Sequence, residues 1–318
     1  MTGTPHHPNL FVVGAPKCGT TSMWRYLRGH PEVFMSDVKE PNHFGSDVRS
    51  RSGLTSRRAY LRLFAEAGDA RIVGEASIGY LGSRDAAVEI AAFAAPDARL
   101  IAMVREPIGF LRSIHNHFVV RGMEPFEDLG AALDAGPERF AGRRTGQPAL
   151  PELLDYRAIV RHGEQLQRWL EVFPKERLHV VILEELSREP ARVFRDVLRF
   201  LDVDDSYRPD FVHHNAARRT DRRRLSRLIN APPMPLRRVA RRFVPPGLRE
   251  RLWNQRIRRP LFLASSRVAD PEPIDPALEA RLRVELGPEV HRLAAVIDRP
   301  DLPALWGYPA PAVDPVPH

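Results

Sequence analysis

The residues best suited to chemistry stand at 14–22, GAPKCGTTS. Gly14 and Gly19 are five apart, Lys17 lies between them with Cys18, and three hydroxyl residues follow, Thr20, Thr21 and Ser22. Glycines let a backbone turn tightly around a ligand. The first amides of a helix point outward without intrahelical partners, at the positive end of its dipole, so a glycine turn entering a helix makes a cradle for an anion. Lys17 precedes the second glycine and would reach an oxygen of that anion from the side. A second constellation is Arg105 and Ser113, eight residues apart with Pro107 between them. An arginine fork and a hydroxyl about two helical turns along could converge on one phosphate.

Both constellations need particular elements. NLFVVGA (9–15) is a short apolar run ending in glycine, as in a buried parallel strand. Thr20 to Gly29 reads as the following helix, with Met23, Tyr26 and Leu27 at helical spacing and Gly29-His30-Pro31 as its stop. Further strands are expected at 71–76, 99–104 and 178–183, and helices at 56–66, 83–95, 107–121, 151–172 and 188–201. Strands alternating with helices imply a parallel sheet covered on both faces, with ligands at the carboxyl ends of its strands. The 14–19 loop lies at such an end, and so does Arg105.

Composition narrows the classes. A chain of 318 residues can bury a substantial core, and one large domain over 1–318 is expected, with flexible tails at 1–8 and 308–318 and a mainly helical part from 218 onward. No run of 18 apolar residues occurs, so no membrane span is expected, and MTGTPHHPNL lacks the marks of a secretory signal. A cytoplasmic protein is the expectation. The single cysteine, Cys18, excludes an internal disulfide framework and zinc sites built on paired thiolates. The net charge of +8 is carried by arginine, densest from Arg218 to Arg259, a candidate anion-binding surface or a set of solvated helix faces. The stretches 136–151 and GYPAPAVDPVPH are rich in proline and read as loop and tail.

In nucleoside triphosphatases the loop lysine follows the second glycine, and the next hydroxyl holds magnesium. Here Thr20 occupies that place. The order Pro-Lys-x-Gly-Thr-Thr-Ser resembles instead the 5′-phosphosulfate loop of sulfotransferases that use 3′-phosphoadenosine 5′-phosphosulfate (PAPS). Strand-Arg-x-Pro with serine eight residues after the arginine resembles their 3′-phosphate site, here Arg105 and Ser113. HPEVFMSDVKEPNHF (30–44) resembles a segment of the heparan sulfate-type enzymes and their bacterial relatives in which a glutamate acts as catalytic base. By position that residue is Glu40, with His43 as second choice or as an acceptor contact.

VGEASIGYL (73–81) is similar to the segment lining the acceptor site, but Ala76 replaces a lysine that many heparan-type enzymes carry. Residues 161–203 match the family's helix, strand and helix, including Glu-Glu-Leu after the strand, and read as scaffold. HHNAARRTDRRRLSRLI (213–229) resembles the segment that closes over the nucleotide and makes Arg222 and Arg223 candidates for the cofactor. The resemblance implies an α/β, P-loop-like three-layer fold with a central parallel sheet flanked by helices. It also implies a bacterial, metal-independent transferase that moves a sulfuryl group from PAPS to a hydroxyl, or less readily an amine, of a small metabolite, glycan or lipid, releasing PAP.

Rival readings are a nucleotide kinase or triphosphatase with a degenerate loop, and a non-enzymatic anion or nucleic-acid binder using the arginine-rich stretch. The second would bind DNA or RNA with steep salt dependence. It leaves the spacing of Lys17, Arg105 and Ser113 unexplained, so no specific nucleic-acid partner is expected. His115 and His117 lie two apart on a helix, diverging by roughly 200°, which disfavours a shared metal. Cys18, beside Lys17 at a helix start, is expected to have a lowered thiol pKa. Trp24, Trp169 and Trp253 are expected to be packing residues.

Overall fold

The structure is a computed structural model and describes residues 7–48, 53–121, 123–136, 155–211, 218–219, 267–268 and 274–308. In chain order the elements are β1 (Leu10–Gly14), α1 (Thr20–Arg28), β2 (Val33–Met35), α2 (Arg57–Leu61), β3 (Ile72–Ala76), α3 (Ala86–Phe93), β4 (Arg99–Val104) and α4 (Pro107–Val120). There follow α5 (Leu129–Asp134), α6 (Tyr156–Ile159), α7 (His162–Leu170), β5 (Leu178–Ile182), α8 (Leu183–Arg188) and α9 (Pro190–Leu201). The last are β6 (Arg218–Arg219), β7 (Arg267–Val268), α10 (Pro276–Val296) and α11 (Leu302–Leu305). Two compact units are formed, one of 1–110, 157–214 and 279–318, the other of 111–156 and 215–278.

The first unit holds a five-stranded sheet in the order β2-β3-β1-β4-β5, parallel throughout. The expected α/β fold with a central parallel sheet flanked by helices is therefore present. β1 is central because every side of it is apolar: Leu10, Phe11, Val12 and Val13 are fully buried. Each such burial contributes about 1.5–3 kcal/mol. The strand order reverses at β1, with β3 and β2 to one side and β4 and β5 to the other, so the crevice above its carboxyl end is where this architecture binds ligands.

The helices follow from local signals. α1 buries Met23, Trp24, Tyr26 and Leu27, has no acid in its first turn, and carries Arg25 and Arg28 in its last. α9 opens on Pro190 at a position where the missing amide costs nothing, and buries Val193, Phe194, Val197, Leu198 and Leu201 along one stripe. It stops at Asp202 in a left-handed turn.

Two expectations need correction. β2 was not anticipated, since VFM is too short to carry a strand pattern and is fixed by pairing with β3. The single helix expected over 151–172 is two among the described residues, broken at Val160–Arg161. Glu289 of α10 accepts the amides of Gly163 and Glu164 at 2.7 and 3.1 Å, capping a fresh helix start. This long-range contact is invisible to a local reading. In the second unit, His115 Nε2 bonds to the Phe126 carbonyl at 3.0 Å and Tyr156 donates to Glu124 at 2.8 Å. Trp24 and Trp169 are buried as expected, while Trp253 and the 137–151 part of the expected loop lie outside the described residues.

Candidate active site

All five strands of the sheet deliver a polar group from their carboxyl ends. Across the sheet these are Glu40 after β2, Ser77 after β3, the Lys17 loop after β1, Arg105 after β4 and Glu184 after β5. Adjacent strands are about 4.8 Å apart, so the row is compact. The loops are tied together by backbone bonds: Glu40 N to Ala76 O at 2.8 Å, Ser77 N to Val12 O at 3.1 Å, Leu81 N to Val13 O at 2.8 Å and Ala15 N to Met103 O at 2.7 Å.

The loop between β1 and α1 is left-handed at Lys17 (φ 64°) and Gly19 (φ 88°), with Cys18 between them on the ordinary side. This alternation curls successive amides toward a common concavity, the geometry that receives anions. α1 then starts at once, with Ser22 N and Met23 N bonding back to Gly19 O at 2.9 and 3.2 Å. Glycine at 19 is required on two grounds: its positive φ, and the 2.9 Å at which a Cβ would meet the Leu183 side chain. Lys17 is half-buried, as is Thr21, while Thr20 and Ser22 are buried. The donor set fits a phosphate-bearing anion, being cationic, rich in amides and free of acids in the first helical turn.

Cys18 corrects the expectation of an acidic thiol. It is fully buried with Sγ toward the Pro16 carbonyl at 3.4 Å, and burial raises its pKa against the pull of Arg105. What Cys18 offers a ligand is its backbone.

Arg105 follows β4, its guanidinium resting on the first turn of α4, where a Cβ on Gly109 would lie 3.2 Å from its Nε. Its nearest acid is Glu184, Nε to Oε1 3.9 Å, and not Glu106 or Asp97. Glu106 is occupied in capping α4, accepting the amides of Ile108 at 3.1 Å and Gly109 at 2.6 Å, and takes the hydroxyl of Tyr308 at 3.0 Å. Burial raises the Glu184 pKa. Glu184 of the Glu-Glu-Leu segment thus stands beside Arg105. Ser113 is buried on α4 within the second unit.

Glu40 has φ 63° and Asn42 φ 48°, left-handed conformations on either side of Pro41 that asparagine tolerates and glutamate rarely adopts. It is held by Glu40 N to Ala76 O, by Asn42 Nδ2 to Glu40 O at 2.9 Å, and by Asn42 N to Ser77 Oγ at 3.1 Å. Lys39 Nζ donates to Glu40 Oε1 at 3.0 Å, from a lysine side chain 17% exposed to a carboxylate 40% exposed, so the pair stands at the surface with Glu40 open to solvent. His43 stacks on Tyr60 with ring centres 4.3 Å apart, and its Nδ1 meets the Leu54 carbonyl. With Nδ1 as the donor there, the neutral ring's basic nitrogen is Nε2.

Glu75 on β3 was missed from the sequence. It is fully buried and accepts three hydroxyls: Tyr60 at 3.1 Å, Tyr80 at 2.7 Å and Ser77 at 2.7 Å. Burial pushes its pKa up to about 7, opposed by those hydrogen bonds and by Lys39. The available signal was a carboxylate inside the apolar run RIVGEA, where a charge is costly unless it is partnered. Arg222 and Arg223 lie outside the described residues.

A family model described as "Sulfotransferase domain" matches residues 7–220. Human carbohydrate sulfotransferase 15 is 29% identical over 252 residues, covering 62% of this chain and 44% of that protein. The bifunctional heparan sulfate N-deacetylase/N-sulfotransferase 1 of Caenorhabditis briggsae is 25% identical over 207 residues, covering 62% of this chain and 23% of that protein. The chain therefore spans less than half the length of these curated relatives. The crystal structure of a sulfotransferase from Alicyclobacillus acidocaldarius matches with a TM-score of 0.69 and 26% identity, covering 95% of this chain and 99% of the other. The matched span contains the sheet, the Lys17 loop, Glu40, Arg105 and Glu184, and the chain belongs to the sulfotransferase domain family.

Proposed function

We propose that this chain transfers a sulfuryl group from PAPS to a hydroxyl, in preference to an amine, of a sugar-bearing acceptor. The observation that carries the reading is the row of Glu40, the Lys17 loop and Arg105 on the carboxyl ends of β2, β1 and β4. A sugar is favoured over a small metabolite or lipid because the relatives described above are named for carbohydrate and heparan sulfate. Ala76, in place of the heparan-type lysine, argues for a different acceptor within that class.

The donor supplies the sulfuryl group: a bond forms between acceptor oxygen and sulfur as the bond from sulfur to the 5′-phosphate oxygen breaks, leaving PAP. Glu40 takes the acceptor's proton, with His43 as the second choice. Lys17 and the amides from Cys18 to Ser22 stabilise the charge that grows on the departing phosphate oxygen, a role for fixed donors that needs no reorganisation during reaction. Arg105 holds the 3′-phosphate with its planar fork. Ser113 is assigned there on its spacing, and Arg222 and Arg223 are assigned to the nucleotide on the sequence resemblance. In this scheme lysine and backbone dipoles do the work that magnesium does in kinases.

Ligand-dependent melting tests the reading. A protein that binds PAP in the absence of magnesium is stabilised by it. Stabilisation by ATP with magnesium, and none by PAP, would favour the kinase instead.

A further inference from the structure

The segment carrying Glu40 is pinned by two hydroxyls. Ser77 Oγ accepts the amide of Asn42 at 3.1 Å, and Tyr80 Oη accepts the amides of His43 at 2.9 Å and Phe44 at 3.4 Å. A hydroxyl has one hydrogen and can serve as acceptor toward these amides only if that hydrogen points elsewhere. Both hydrogens go to Glu75, Ser77 to Oε2 at 2.7 Å and Tyr80 to Oε1 at 2.7 Å. Tyr60, whose ring stacks on His43, donates to the same carboxylate at 3.1 Å. A fully buried carboxylate in an interior strand is costly. Packing alone would be served as well by an apolar side chain.

We propose that Glu75 is a positioning residue for the Glu40 segment: its ionised carboxylate takes the hydrogens of Ser77 and Tyr80 and so turns their lone pairs toward the amides of Asn42, His43 and Phe44. The role in turnover rests on the reading of Glu40 as the base. The structural claim does not. Ionised carboxylate is an acceptor only, whereas a proton on Oε2 makes it a donor toward Ser77, leaving the Ser77 hydrogen to compete with the Asn42 amide. Glutamine at 75 places an NH2 in the same conflict at every pH. The groups facing Glu75 are Tyr60, Ser77, Tyr80 and, through its charge, Lys39. The segment is therefore held more firmly as pH rises through about 7, where Glu75 loses its proton.

Amide hydrogen exchange read by NMR, expressed relative to the intrinsic rate at each pH, tests this. In Glu75→Gln at least one of the two sets, the Asn42 amide held by Ser77 or the His43 and Phe44 amides held by Tyr80, is expected to lose about tenfold in protection, with β1 and β4 unchanged. Wild-type protection should rise through pH 7 while the variant stays flat. His43 is common to both proteins and cannot by itself produce a difference between them. Equal protection and equal pH profiles would overturn the proposal. Should Glu75→Gln fail to fold, Tyr80→Phe is expected to release His43 and Phe44 but not Asn42, and Ser77→Ala the reverse. Unchanged protection in both would overturn it equally. With PAPS and unsulfated oligosaccharides outside the heparan type as probes, kcat in Glu75→Gln should fall about tenfold to a hundredfold with KM for PAPS unchanged. A wild type that neither turns over nor binds PAP sinks the sulfuryl-transfer reading, while the exchange result still decides this one.

Discussion

Glu184 faces Arg105 across 3.9 Å, Oε1 to Nε, too far for a hydrogen bond, because the same carboxylate is engaged elsewhere. Its Oε1 takes the Glu106 amide at 3.2 Å and its Oε2 takes the Trp306 indole at 3.3 Å. The acid orients the guanidinium without saturating its five donors. An arginine so placed at the end of β4 can still meet an incoming phosphate.

Arg105→Ala is accordingly expected to weaken PAP binding by about tenfold to a hundredfold, the worth of a charged hydrogen-bonded contact. Lysine at 105 should restore only part of it, for want of the fork. Glu184→Gln removes a competing negative charge and should tighten PAP several-fold. Titration calorimetry of the three variants checks all three directions, and equal affinities would refute the assignment of this site.

Glu40→Gln keeps the shape of the side chain and removes its basicity. The turnover rate should drop by about 10²–10⁴ while PAP still raises the melting temperature as in wild type. A rate within a few-fold of wild type would shift the role of base to another group, with His43 first in line.

Gly14 occupies φ 147°, where a Cβ would stand 2.8 Å from the Leu81 Cβ and 2.9 Å from the Ile78 carbonyl oxygen. Neither atom is the end of a flexible chain. Gly14→Ala should therefore cost about 2 kcal/mol or more in urea unfolding, through strain and overpacking together. A neutral substitution would mean that the β1 turn relaxes far more than its packing implies.

Glu75 gives the fold a pH dependence of definite sign. Burial lifts its pKa from 4.5 to about 7, so between those values the folded protein keeps a proton that the unfolded chain releases. Raising pH through this window favours unfolding, by roughly 3 kcal/mol in total, and no further loss follows above about pH 7. Glu75→Gln should flatten that portion of the stability curve. Identical slopes in the two proteins, measured by urea unfolding from pH 4.5 to 7.5, would contradict the burial of an ionised carboxylate. The charge that fixes the Glu40 segment is thus carried at a cost to the fold.

Much of the scaffold was legible because its signals are local. Apolar runs gave β1, β3, β4 and β5 to within a residue or so, and the hydrophobic stripes gave α1, α4 and α9. β2 was not legible, since three residues carry no period and its existence depends on β3. The break before His162 depends on Glu289, more than a hundred residues away. In the site, spacing together with the resemblance to the sulfotransferase loops drew attention to Lys17, Arg105 and Ser113. Glu75 and Glu184 lay in segments that the sequence did single out, but were given no role of their own, because their meaning lies in partners from other strands and loops. The lowered pKa expected for Cys18 failed for a related reason: proximity to Lys17 is written in the sequence, and complete burial is not.

The most direct measurement is transfer of labelled sulfate from PAPS across a panel of glycan, small hydroxyl and amine acceptors, with wild type beside Lys17→Ala. Label should move to a sugar hydroxyl in wild type without added magnesium and fall by about 10³ in the variant, as when a principal transition-state donor is removed. Transfer that survives intact in Lys17→Ala, or no transfer to any acceptor, would contradict the account.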